Sequence, residues 1–122
     1  MLPSGSTKPL VVVVRDLVFR SKIHAAAERQ GVPLRLAPRG SALSEAIAGL
    51  ERPTVVADLG EPGLLEQVRA AKGQVPVRVI GYLGHLQEGL MAEARAAGVD
   101  EVLTRGQFVA RLESLLHGGE VN

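Results

Sequence analysis

The sequence predicts an α/β domain of the flavodoxin-like (βα)5 type, a three-layer sandwich around a parallel sheet in the order 2-1-3-4-5. Three observations predict it. Short aliphatic, often β-branched runs recur five times, and each is followed by a segment whose apolar residues return at helical spacing. The runs are apolar throughout rather than alternating, as in strands covered by helices on both faces. Right-handed crossovers then leave few topologies for five strands, and the doubly wound order is the one that fits.

Taken in order, Leu10 to Val14 is the first strand, ending at Arg15 and Asp16. Phe19, Ile23, Ala26 and Ala27 place one apolar face on the first helix, which stops at Gly31. Val32 to Ala37 is a weaker strand whose internal Arg35 suits a sheet edge. Leu43, Ile47 and Leu50 mark a second helix starting near Ser41, and Thr54 to Ala57 is the third strand, ending at Asp58. After Gly60, Glu61, Pro62 and Gly63, with Pro62 suited to a first helical turn, Leu64, Leu65, Val68 and Ala71 carry the third helix to Gly73. Val75 to Ile80 is the fourth strand, closing on Gly81 and Tyr82. Leu86, Leu90, Ala94 and Ala97 form the stripe of the fourth helix before Gly98. Glu101 to Leu103 is the fifth strand, and Phe108, Leu112, Leu115 and Leu116 define the last helix, with His117 at its end. The expected organisation is a disordered tail over 1–8, one domain over 9–118 and a short tail over 119–122.

Composition narrows the function. Fourteen Lys and Arg against thirteen Asp and Glu leave a formal charge of +1, too balanced for a chain that grips a phosphate backbone by charge. The only aromatics are Phe19, Tyr82 and Phe108, so base-stacking platforms are nearly absent. No nucleic-acid partner is expected. The absence of cysteine excludes a disulfide framework, a CxxC redox site and thiolate metal clusters. No apolar run approaches the ~20 residues that span a bilayer, so no membrane partner is expected and the cytoplasm is the expected location. No nucleophile elbow and no GxGxxG after the first strand appear, which argues against an α/β hydrolase or a dinucleotide enzyme.

In open α/β sheets function gathers at the carboxyl ends of the strands, beside the switch point. There the sequence places Arg15, Asp16, Asp58, Gly81, Tyr82, Thr104 and Arg105. Asp16 and Asp58 end the two strands flanking the switch. Two adjacent carboxylates bind a divalent ion or force one of the pair to take up a proton, unless a cation neutralises them. Arg15 and Arg105 supply such cations. Asp58 could equally cap the following helix or pair with an arginine, and Asp16 could equally be the N-cap of the first helix. The loop after the fourth strand sets Gly81, Tyr82 and His85 at this edge. His85 could transfer a proton, bind a partner or simply hydrogen-bond a loop carbonyl.

An acid closing strand 1 (Asp16), an aspartate closing strand 3 (Asp58) with Pro62 four residues on, and Arg105 after strand 5 resemble the receiver domain of two-component response regulators. The resemblance covers about residues 9 to 117. It implies that Asp58 is the candidate phosphoacceptor and that Asp16 is the second acid of the pair that holds Mg²⁺. Arg15 stands at the first acid position, Gly81 at the Thr or Ser that ends strand 4, Arg105 or Thr104 at the family lysine, and Val102 near the family's strand 5 aromatic. With these parts replaced, the chain also resembles the atypical or pseudo-receivers, which keep the fold and signal by contact.

The function so implied is a stand-alone bacterial signal-transduction module of the phosphorelay type, not an enzyme. It needs no cofactor; Mg²⁺ enters only if Asp58 is a working phosphoacceptor. A signalling protein partner, or a second copy, would use helix 4, strand 5 and helix 5, presenting Glu88, Glu93, Arg95, Arg111 and Glu113. Two alternatives stand beside it. In one, Asp58 still accepts phosphate, with Arg15 and Arg105 stabilising the added charge. In the other, the same cleft serves a small anion-binding protein or enzyme with His85 as acid or base.

Overall fold

The computed structural model describes residues 10–14, 16–37, 43–84 and 87–116, the side chains of 115 and 116 excepted. The expected tails, Arg15, His85, Leu86, His117 and the expected start of the second helix at Ser41 lie outside the described residues.

Five strands and five helices alternate: β1 (Leu10–Val13), α1 (Leu17–Gln30), β2 (Leu34–Leu36), α2 (Leu43–Ala46), β3 (Thr54–Asp58), α3 (Leu64–Lys72), β4 (Arg78–Leu83), α4 (Glu88–Ala97), β5 (Glu101–Thr104) and α5 (Arg105–Leu116). The sheet has the order β2-β1-β3-β4-β5 and every pairing is parallel, as the sequence predicts. The edge position of β2 explains how Arg35 is tolerated within a strand.

Side chains alternate across the sheet, so each strand feeds two cores. Leu10, Val12, Val56, Ile80, Tyr82 and Leu103 meet Phe19, Ile23, Ala26 and Ala27 of α1 and Phe108 and Leu112 of α5. Val11, Val55, Ala57, Val79 and Leu83 meet α2, α3 and α4 through Leu43, Leu64, Val68, Ala71 and Ala94. This double coverage is why the strands read as unbroken apolar runs. Each buried aliphatic side chain contributes about 1.5–3 kcal/mol.

The four α1 residues predicted to be buried are the buried ones. The helix ends where Gly31, at φ 70°, takes the left-handed conformation that its amide needs to reach Ala27 and Glu28 carbonyls. Gly98, at φ 107°, ends α4 in the same way.

Strands β1, β2, β3 and β5 differ from expectation by one or two residues at an end, and three further boundaries differ for reasons that the neighbouring residues supply. The second helix is a single four-residue turn, too short to hold itself. It is held from outside instead: Gln67 Oε1 of α3 accepts from the Leu43 N–H at 2.8 Å, and Arg35 Nη1 of β2 donates to the Ala46 carbonyl at 3.2 Å. Pro62 lies in the turn before α3 rather than in its first turn, because Gly63 at φ 77° is the residue that turns the chain into the helix. The fourth strand starts at Arg78 and runs through to Leu83. Pro76 has no N–H to give a ladder, and Gly81 does not break the strand but pairs in register with Ala57 and Val102.

Candidate functional site

Asp16 stands just past β1 and is the N-cap of α1. Its Oδ1 accepts from the N–H groups of Val18 at 2.9 Å and Phe19 at 3.2 Å, two donors of the first helical turn that have no partner within the helix. Its Oδ2 accepts from Arg105 Nη2 at 2.8 Å. The cap and the pocket carboxylate, open alternatives in the sequence, are thus one side chain with both oxygens committed. The Phe19 amide, ahead of the Arg105 and Val18 bonds, holds its pKa below the ordinary value against an opposing effect of burial.

Arg105 is the first residue of α5, with no loop between it and β5. Thr104 and Gln107 form a capping box: Thr104 Oγ1 accepts from the Gln107 N–H at 3.1 Å and Gln107 Oε1 from the Thr104 N–H at 3.0 Å. The spacing Thr104-x-x-Gln107 is the signal in the sequence that marks this start, one that apolar periodicity alone passes over. The box consumes the hydroxyl at one of the two positions matched to the family lysine. Arg105, at the other, lies 4.8 Å over the Phe19 ring while it pairs with Asp16.

Asp58, half-buried at the end of β3, accepts at Oδ1 from the Gly60 N–H at 2.9 Å. Its carboxyl therefore shapes the turn after the strand. It does not cap α3, whose N-cap is Gly63. Among the described residues it is Asp16, not Asp58, that takes the guanidinium of Arg105.

The expectation that Gly81 and Tyr82 belong to a loop after strand 4 is corrected by the longer β4. Both lie inside the strand and are buried, and Leu83 is the residue that ends it. Gly81 is a notch filled by its neighbour: a Cβ there would come within 2.4–2.7 Å of Leu59 side-chain atoms. Neither Gly81 nor Leu83 carries a hydroxyl. Tyr82 is 2% exposed, and its ring lies 4.7 Å from Phe19 and 5.3 Å from Phe108, which are 5.6 Å apart. The chain's three aromatics thus form one triangle beneath the Asp16–Arg105 pair. The Tyr82 hydroxyl is buried without a hydrogen-bond partner. Burial, and then the charge of Asp58 opposite it in register, push its pKa far up.

One residue of the expected partner face lies elsewhere. Glu113 is not on the α4 side of α5 but against α1, where its carboxylate accepts from Arg29 and, at 2.7 Å, from Gln30 Nε2. Arg111 reaches Glu101 of β5 at 3.5 Å. Glu88, Glu93 and Arg95 are exposed on α4 as expected.

The donor set does not fit the Mg²⁺ that the family resemblance implies. Both oxygens of Asp16 already accept hydrogen bonds from α1 amides or Arg105, arginine occupies the first acid position in the sequence, and among the described residues no three His, Asp or Glu side chains are grouped to hold a metal ion. Nor, among those residues, is any helix long and apolar enough to cross a membrane.

A five-stranded parallel sheet of this order, with acids and an arginine at its carboxyl edge, defines a flavodoxin-like domain. Its fold is that of response-regulator receiver domains. It matches a response regulator from Thermotoga maritima at TM-score 0.75 and 16% identity, over 92% of this chain and 96% of that one. The receiver domain of the Francisella response regulator 1452 matches at TM-score 0.75 and 19% identity, over 92% and 98%. A Burkholderia pseudomallei response regulator, with a phosphorylated aspartic acid, calcium ion and citrate in its crystal, matches at TM-score 0.74 and 19% identity, over 89% and 66%. No family model and no curated protein matches the sequence.

Proposed function

We propose that this chain is a receiver-like signal-transduction domain of the phosphorelay type, cytoplasmic and non-enzymatic, that acts by protein contact without Mg²⁺-dependent phosphorylation. The observation that carries the reading is the state of Asp16. One oxygen holds two α1 amides and the other holds Arg105. Freeing it to bind a cation would uncap a helix and leave a guanidinium without its partner. The missing hydroxyl at the end of β4 and the capping role of Thr104 add to this. Two measurements test it together. Amide spectra should stay unmoved at residues 16–19, 58–60 and 104–107 when millimolar Mg²⁺ is added. A small phosphodonor with Mg²⁺ should leave the intact mass unchanged.

A second reading keeps Asp58 as phosphoacceptor, and one observation favours it. Only Oδ1 of Asp58 is engaged among the described hydrogen bonds, leaving Oδ2 as a nucleophile at a half-exposed position. A phosphoryl adduct that is absent in Asp58→Asn would establish this reading and remove the first.

A further inference from the structure

α2 is held differently from the other helices. It has four residues, where α3, the next shortest, has nine. Over residues 43–50 the Ile47 N–H donates to the Leu43 carbonyl at 3.1 Å, Ala48 to Glu45 at 3.3 Å and Leu50 to Ile47 at 3.0 Å. Of these only the first closes an α-helical turn. Ordering so short a helix costs more conformational freedom than its own bonds offset.

The ends of α2 are completed by side chains of other elements. Gln67 of α3 accepts from the Leu43 N–H, and the exposed Arg35 of edge strand β2 donates to the Ala46 carbonyl. Neither bond is fully enclosed, so water can replace either side chain once it lets go. Of the surrounding elements α3 alone makes extensive contact with α2. Leu43, Ala46 and Ile47 are nevertheless buried, in the same core as Val11, Val55, Leu64 and Val68. Residues 43–50 are therefore an apolar cover with few ties.

The chain that leaves this cover is strained. Gly49 lies at φ 80°, and Arg52, two residues before β3, at φ 51°. The left-handed region costs a residue that carries a Cβ, and such strain persists only where the flanking structure imposes it. Here β3 fixes the chain on one side, and the seating of Leu43 and Ile47 fixes it on the other.

From these observations we infer that residues 43–50 open as one unit while the sheet and the four longer helices stay folded, with 49–52 as the hinge. Opening breaks both tethers, frees Arg52 from its left-handed conformation and bares the apolar flank of α3. Anything that binds this flank does so in proportion to the open fraction, which makes the cover a conformational switch. The cover lies on the other face of the sheet from α1 and α5. The inference goes beyond the function proposed above and holds whether or not Asp58 accepts phosphate.

Native-state hydrogen exchange of the full chain in rising, sub-denaturing guanidinium tests it. The amides of Leu43, Ile47, Ala48 and Leu50 should share one opening free energy, lower than that of Val55, Val56 and Val79 and nearly independent of denaturant, because local opening exposes little surface. Gln67→Ala and Arg35→Ala remove bonds that opening breaks, so each should speed exchange at the four amides about three- to tenfold, the effect of losing one hydrogen bond. Thr104→Ala weakens α5, which stays folded in the open form. It should speed exchange at Val55, Val56 and Val79 and leave the four amides unchanged. The chain has no cysteine, so Ala46→Cys supplies a second readout: its thiol should react at the rate set by the amide opening, far faster than that of Ala26→Cys in the opposite core. Four unequal opening free energies, exchange that tracks Val55 across the denaturant series, indifference to both tether variants, or equal protection of the two thiols would overturn the inference.

Discussion

Arg105 donates from Nη2 to Asp16 Oδ2 at 2.8 Å while its guanidinium lies over the ring of Phe19. One side chain thereby fastens the first turn of α5 to the first turn of α1, and the carboxylate it uses is the one that caps α1. Asp16→Ala should therefore lower Tm more than Arg105→Ala, since the first change removes both cap and pair and the second only the pair. Asp16→Asn should fall between them, because its side-chain oxygen still accepts from the helix amides. Thermal unfolding of the three variants checks the order.

The same carboxylate predicts an acid dependence. Its pKa is held below the ordinary 3.8, chiefly by the Phe19 N–H. The native state then binds fewer protons than the unfolded chain, so this stabilisation is complete above about pH 4 and is lost as pH falls through the depressed value. The Tm difference between the parent chain and Asp16→Asn should be constant near neutrality and shrink in acid.

Tyr82 predicts the opposite edge of the pH range. Its hydroxyl is buried without a partner and its pKa is raised by burial, then by Asp58. A raised phenol contributes stability that is present below its ordinary value of 10.0 and is lost as pH climbs beyond it. Tyr82→Phe should abolish that alkaline loss. At neutral pH the same variant should be neutral or stabilising, because an unsatisfied buried polar group costs about 1–3 kcal/mol. Absorbance titration of the chain's single tyrosine and paired melts of the two proteins measure both effects.

Gly81 predicts a packing conflict. A methyl there meets three Leu59 side-chain atoms closer than van der Waals contact permits, and Leu59 is itself buried. Gly81→Ala should cost about 1–3 kcal/mol, and Gly81→Thr more. In the background of Leu59→Ala the added cost should fall, giving a non-zero coupling in a double-mutant cycle. Denaturant unfolding of the four proteins supplies the cycle.

The capping box predicts a smaller, separable effect. Thr104→Ala should destabilise by about 1 kcal/mol, and Gln107→Ala by less, since it leaves the Oγ1 cap in place. Chemical denaturation with amide exchange at the first turn of α5 distinguishes a frayed helix start from a global loss.

The sequence by itself determined the element order, the sheet topology, the buried face of α1 and the glycine stops at Gly31 and Gly98. These follow from local periodicity, the handedness of crossovers and the few residues that tolerate positive φ, all properties of short stretches of chain. It also brought Asp16, Asp58 and Arg105 to one edge, because strand ends in a parallel sheet share an edge. Only the tertiary structure decided which acid takes Arg105, because that depends on where the first turns of α1 and α5 meet. It placed Glu113 on the α1 side for the same reason. It carried β4 through Gly81 to Leu83, since pairing with β3 and β5 on both sides outweighs the weak strand propensity of a lone glycine. And it buried Tyr82 in an aromatic triangle whose members are far apart in the chain, a contact that no local pattern encodes.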